Sequence, residues 1–250
     1  MTREDLSIRV VFFDAAGTLF RVRGSVAEIY LRYAVQFGFQ QKADSLVSIK
    51  EAFGRAFREA PPPVFATTEP AQIKQSERVW WFDIVHNVFY RVGMFERFDD
   101  FFDRVFEVFE DPASWELFPE TMSTLTRLKE RELELGIISN FDSRLFSVMR
   151  GLGIADLFDT VTISSLAQAA KPASKIFRLA LNKHAVDPEE ALHVGDSVRD
   201  DLEGARRSGL HAVLLDREGT HGNQRDYAVR TLDEVDEVIE RLGRNYKNRK

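Results

Sequence analysis

Four short segments place chemically useful side chains where an apolar run gives way to small or polar residues. Asp14 closes Val10-Val11-Phe12-Phe13 and opens the turn Ala15-Ala16-Gly17-Thr18-Leu19-Phe20, which sets one carboxylate at the mouth of a buried strand. Ser139 and Asn140 end the run Gly136-Ile137-Ile138 with a hydroxyl, a backbone N–H and an amide. At the carboxyl edge of a sheet, that set suits an anion. Lys171, followed by Pro172, stands just before a helical pattern, where its charge can offset a carboxylate and a phosphate together. Gly195-Asp196-Ser197-Val198-Arg199-Asp200-Asp201 gathers acids after another apolar run. Like charges so close repel unless a cation or the lysine compensates them, so the cluster points to a hard metal ion.

The elements that must carry these residues follow from hydrophobic periodicity. Apolar, β-rich runs at 8–13, 133–139, 161–164, 191–195 and 212–216 read as buried parallel strands. From Pro119 onward they alternate with helical patterns at 119–131, 143–152, 174–184, 198–208 and 232–242. This β-α alternation predicts a doubly wound α/β core with a parallel, Rossmann-like sheet. More than a hundred residues separate the first two strands, far more than one crossover helix needs. The intervening stretch reads as helices at 25–39, 44–59, 69–92 and 97–109. The expected organisation is therefore a core of residues 1–20 and 113–250 with a helical cap of residues 21–112 inserted into it. Trp80-Trp81 shares a helix face with Ile84, Val85 and Val88. Packing within the cap is the favoured role for this pair and lining a pocket the lesser one. Pro61-Pro62-Pro63 reads as a stiff loop between helices.

In order, the four segments resemble the four motifs of the haloacid dehalogenase (HAD) superfamily, and the resemblance covers about residues 8–20 and 119–216. The insertion after the first motif implies a cap of the first type. Trp80-Trp81-Phe82-Asp83, Ser114-Trp115 and the run from Ile138 to Leu145 are similar to the subfamily that contains haloacid dehalogenase-like hydrolase domain-containing protein 3. The resemblance implies a hydrolase in which Asp14 attacks phosphorus to form an aspartyl-phosphate. It implies Mg²⁺ held by the Asp14 carboxylate, the Ala16 carbonyl and Asp196. Ser139 and the Asn140 N–H would bind phosphoryl oxygens, with Lys171 as the cationic clamp. Asp201 would hold metal-bound water or Lys171, Thr18 would support the turn, and Asp200 is a helix-start charge. The implied substrate is a small phosphorylated molecule admitted between core and cap.

Ala16 departs from this pattern. The superfamily's phosphatases carry there a second aspartate that protonates the leaving group and later activates water. Backbone ligation survives the change, but general acid–base help is typically worth about 10²–10⁴ in rate. The expectation is a phosphatase of low or narrow activity. Two rivals share the alanine. The 2-haloacid dehalogenases lack the second acid because halide leaves without a proton, but they need no metal, their fourth motif differs from Gly195 to Asp201, and the cap shows no obvious arginine for halide and carboxylate. Phosphonoacetaldehyde hydrolases need a cap lysine, and Lys42, Lys50 and Lys74 have no recognisable context. A reading from another class is a metabolite- or protein-binding protein that keeps the fold and metal site without useful turnover.

The remaining features are exclusions. Lysine plus arginine number 34 against 40 acids, a formal charge of −6 that favours neither nucleic acid nor anionic membrane. The absence of cysteine excludes disulfides and thiolate chemistry. With no signal-like start and no long uncharged apolar stretch, a cytoplasmic protein is the expectation. The basic tail from Arg244 to Lys250 reads as a solvated terminus. Gly151-Leu152-Gly153 reads as a helix C-terminal turn rather than a dinucleotide fingerprint. His86, His184, His193, His211 and His221 show no paired ligand spacing, and His193 is expected at the core's edge.

Overall fold

Val10–Phe13 (β1) is a strand whose four β-branched or aromatic residues are all buried, as a central parallel strand covered on both faces requires. The computed structural model describes residues 8–221 and 228–247 of the chain. After β1 the chain forms Phe20–Val22 (β2) and then four helices, Val26–Gln36 (α1), Ser45–Glu59 (α2), Pro70–Val92 (α3) and Phe98–Val108 (α4). Trp115–Leu117 (β3) returns antiparallel to β2. The succession is then Thr121–Glu130 (α5), Glu134–Ser139 (β4), Leu145–Gly151 (α6), Thr160–Ile163 (β5), Ser164–Ala167 (α7), Ser174–His184 (α8) and Ala191–Gly195 (β6). A π-helical turn at Val198–Glu203 leads into Gly204–Arg207 (α9), followed by His211–Leu215 (β7), Ala228–Val229 (β8) and Val235–Lys247 (α10).

Six parallel strands lie in the order β5-β4-β1-β6-β7-β8. Strands β4 and β6 flank β1, so the chain winds outward from β1 in both directions and opens a crevice at the carboxyl ends of these three strands. Alternation along β1 divides the core between the two faces. Val11 and Phe13 pack with Leu125, Leu145, Val148 and Ile239, whereas Val10 and Phe12 pack with Ile176, Phe177, Ala180 and Leu202. This is the doubly wound α/β arrangement that the β-α alternation predicts.

Helices α1 to α4 bury a third apolar cluster of their own, centred on Tyr30, Ile49, Val88, Phe89 and Phe101. Its phenylalanines meet mostly edge to face; Phe89 and Phe101 lie 4.9 Å apart at 74°. Local signals set these helices. Ser25 caps α1 by accepting the Glu28 N–H, and Pro70 opens α3 at the position where a missing N–H costs nothing. Gly153 sits at φ +73° just past α6, so the glycine pair around Leu152 closes a helix as its sequence suggests.

Three local features differ from expectation. The β2–β3 ribbon and β8 were not anticipated, because runs of two or three residues are too short to show alternation. Residues 198–203 form a π turn rather than the start of an α-helix; Ser197 initiates it by accepting the Asp200 N–H at 3.1 Å. Of the basic tail, the end at 248–250 lies outside the described residues.

Candidate active site

The crevice collects the residues singled out by type. Asp14 follows β1, Ser139 ends β4, Asp196 follows β6, and Lys171 stands in the loop before α8. Lys171 is buried, and its Nζ lies 2.8 Å from Asp14 Oδ1 and 2.5 Å from Asp201 Oδ1. Burial works against its charge, but Asp14 and then Asp201 outweigh it and hold the ammonium well above the ordinary lysine range. Asp201 shows the reverse balance. Burial opposes its charge, while Lys171 and His193 hold the carboxyl well below the usual carboxylate range. Both Asp201 oxygens are engaged: Oδ1 accepts Lys171 and lies 2.8 Å from His193 Nε2, and Oδ2 accepts the Ser197 N–H at 3.0 Å.

Carboxylate oxygens of Asp14, Asp196 and Asp201 lie within 4.8 Å of one another. Asp196 opens onto the cavity, with protein around it on the other sides. Desolvation, followed by the charges of Asp14 and Asp201, pushes its carboxyl up to about 7. Three acids beside one lysine leave an excess of negative charge that a hard divalent cation would relieve, so the donor set fits such an ion. Two glycines make the cluster possible. A Cβ on Gly17, which has φ +89°, would lie 2.3 Å from Asp196 Oδ2, and one on Gly195 would lie 2.1 Å from Asp201 Cγ.

Ala16 and Ser139 line the same cavity. The Asn140 side chain is tied to the Lys171 backbone, accepting its N–H at 2.8 Å and donating to its carbonyl at 2.9 Å, so this amide positions the lysine loop. Thr18 lies buried below the turn, and its carbonyl accepts Arg217 Nη2 at 3.0 Å. Asp200 lines the cavity as well as starting the π turn.

The cavity measures about 510 Å³ and reaches from these carboxylates to the four-helix segment. Trp80 and Trp81 pack against the helical cluster, the role favoured from their helical spacing, and they also line the cavity, the lesser of the two roles expected. His193 is not at the edge of the core. It is fully buried beneath the site, because position 193 of β6 faces the π turn that carries Asp201. Arg144 and Arg21 also reach the cavity. The Arg144 guanidinium is buried against Asp142 and stacks over Phe106 at 4.1 Å. A paired Asp-x-Arg straight after the Ser139-Asn140 segment was the available signal for Arg144; nothing local marked the contact of His193 with Asp201.

A sequence profile of haloacid dehalogenase-like hydrolases matches residues 8–209. The chain belongs to this family. Haloacid dehalogenase-like hydrolase domain-containing protein 3 of Danio rerio is 32% identical over 241 residues, spanning 95% of this chain and 98% of that one. Among solved structures, a HAD phosphatase from Thermococcus onnurineus superposes with a TM-score of 0.65 at 24% identity, covering 93% of this chain and 98% of its own. A 2-haloacid dehalogenase from Pseudomonas syringae pv. Tomato superposes at 0.62 with 25% identity, covering 94% and 99%. The HAD-like hydrolase thus shares its fold with enzymes of both chemistries. No described helix is long and apolar enough to cross a membrane.

Proposed function

We propose that this HAD-like hydrolase is a Mg²⁺-dependent phosphatase that works through an aspartyl-phosphate on Asp14. The supporting observation is the buried lysine shared by Asp14 and Asp201 beside a third, open carboxylate, Asp196. Asp14, the Ala16 carbonyl and Asp196 would hold the ion, since both oxygens of Asp201 are already engaged. When bound, Mg²⁺ supplies charge that lowers the repulsion between the nucleophile and the phosphate dianion.

Within this reading the chain's own residues divide the work. Lys171 holds Asp14 at the sheet edge through their 2.8 Å contact, and its charge faces the phosphoryl group. Asp201, held by His193 and the Ser197 N–H, fixes the lysine. Ser139 and the Asn140 N–H bind phosphoryl oxygens, Thr18 supports the turn, and residues 21–112 act as the cap that closes over the substrate. With alanine at position 16, no side chain there protonates the leaving oxygen.

Phosphate release from an aryl phosphate, measured with and without Mg²⁺ and with Asp14→Asn as the blank, tests the proposal. Asp14-dependent, Mg²⁺-dependent release supports it. Halide release from a 2-haloacid without metal would transfer the site to dehalogenation, a chemistry for which Ala16 is equally suited. No Asp14-dependent turnover of either kind would favour a binding role.

A further inference from the structure

The walls of the cavity differ sharply from its charged floor. All three tryptophans of the chain line it, and each indole N–H is already satisfied inside the protein. Trp80 donates to the Pro61 carbonyl at 2.8 Å, Trp81 to Asp142 Oδ2 at 2.5 Å and Trp115 to the Phe109 carbonyl at 3.1 Å. Both arginines at the cavity are neutralised by partners. Arg144 holds Asp142 through Nε at 2.9 Å and Nη2 at 2.7 Å, and Arg21 Nε donates to Glu116 at 2.8 Å. Tyr30 contributes a phenol that burial keeps protonated beyond its ordinary range. Above the carboxylates the described residues therefore offer ring surface, the Tyr30 hydroxyl and no unpaired charge.

Such walls select the alcohol part of an ester. A charge on that part, or a hydroxyl out of reach of Tyr30, would lose water without gaining a partner. An aromatic body instead gains in proportion to the apolar area it removes from water. A volume of about 510 Å³ falls within the roughly 300–1,000 Å³ of small-molecule sites. It leaves room for a phosphoryl group and one or two fused rings.

Ala16 points independently to the same class. An alkoxide leaves phosphorus poorly without a proton, whereas a phenol of ordinary pKa, about 10, departs as its anion. We infer that the substrates are phosphate monoesters of phenols with an uncharged aromatic body. The inference rests on the phosphatase reading. An Asp14 oxygen bonds to phosphorus as the aryl P–O bond breaks, and the aryl oxygen leaves with the electron pair and is protonated by solvent. Water then attacks the phosphorus, the bond to Asp14 breaks, and the carboxylate is restored as inorganic phosphate leaves with one of the water's protons, the other passing to solvent.

Two measurements on the intact protein test this. The first is steady-state hydrolysis of 1-naphthyl phosphate, phenyl phosphate, free phosphotyrosine and glycerol 3-phosphate, with Asp14→Asn subtracted. The second is quenching of tryptophan fluorescence by 1-naphthol, which needs no turnover. The expected results are saturable quenching, a KM for naphthyl phosphate at least about tenfold below that of phenyl phosphate, and a kcat/KM at least about a hundredfold above those of phosphotyrosine and glycerol 3-phosphate. Phe57→Asp places a charge at a half-exposed ring stacked on Trp81 and should weaken naphthol binding about tenfold or more. Equal or better Asp14-dependent hydrolysis of glycerol 3-phosphate or phosphotyrosine would overturn the inference while leaving the phosphatase standing, as would absence of quenching. No Asp14-dependent hydrolysis of any ester would overturn the phosphatase reading and this inference with it.

Discussion

At position 16 the site lacks a side chain that can move a proton, and the consequences are measurable. Wild type should hydrolyse phenyl phosphate far faster than benzyl phosphate, which shares an aromatic body but leaves as an alkoxide. Ala16→Asp should narrow that gap by raising the benzyl rate within the general-acid range of about 10²–10⁴. Steady-state rates on both esters in both variants decide it; brisk benzyl turnover by wild type would mean that another residue supplies the proton. Asp196 carries a second prediction. Its carboxyl, raised to about 7 without metal, binds a proton that the unfolded chain has released, so its stabilising effect is complete below about pH 4 and lost as pH rises through 7. Asp196→Asn should therefore stabilise the metal-free protein at pH 8, by ~1–2 kcal/mol once water in the cavity is allowed for. The same variant should lose most of its Mg²⁺ affinity. Denaturation at pH 5 and pH 8, together with calorimetric Mg²⁺ titration, checks both.

At the scale of elements, α3 is fastened to the loop after β4 by buried polar contacts. Glu77, on α3, accepts the Ser143 N–H at 2.9 Å and its hydroxyl at 2.5 Å, while Trp81, one turn later, donates to Asp142. Arg144 spans the same junction, giving Nη1 to the Phe106 carbonyl of α4 at 3.2 Å. Because the loop also follows Ser139 and Asn140, the contacts that hold the helices down share a segment with the phosphoryl-facing residues. Asp142→Asn would leave the Arg144 charge buried without its partner and should destabilise the protein by about 3–5 kcal/mol. Burial opposes the Asp142 charge but Arg144 outweighs it, so this carboxyl sits below its usual range. Its contribution should therefore be present above about pH 4 and fade on acidification. Glu77→Ala, which removes the acceptor of the half-buried Ser143 N–H and hydroxyl, should cost about 1–3 kcal/mol and raise KM through a looser cover. Chemical denaturation and hydrogen exchange at 140–144 measure these effects.

For the molecule as a whole, the sheet buries an apolar cluster on each face and the helical segment buries one of its own. The charged floor belongs to the sheet, and most of the aromatic wall belongs to the helices. Damage to one cluster should therefore separate the two properties of the site. Phe101 is fully buried among Tyr30, Phe37, Phe89, Phe95 and Phe98. Phe101→Ala should cost about 3–5 kcal/mol in the helical segment. Mg²⁺ affinity should change little, while naphthol quenching weakens. An equal loss of both in calorimetric and fluorescence titrations would show that floor and wall are one cooperative unit.

The strands, the long helices, the placement of Asp14, Ser139 and Asp196 at strand ends and that of Lys171 before a helix were legible in the sequence, because periodicity and the small residues that end a run are local properties. The need for glycine at 17 and 195 was not legible, because Asp196 and Asp201 crowd these positions only in the folded site. The partners were not local. His193 meets Asp201 only because a π turn folds the acid back over β6, and Glu77 finds Ser143 across 66 positions. The direction of each tryptophan N–H, and with it the apolar character of the wall, depends on carbonyls and carboxylates brought up by neighbouring elements. Helical spacing shows that Trp80 and Trp81 share a helix with apolar neighbours, but it contains no information about what covers that face. The sequence by itself thus determined a parallel core with a charged edge, and only tertiary packing decided which charges are neutralised and what surface a substrate would meet.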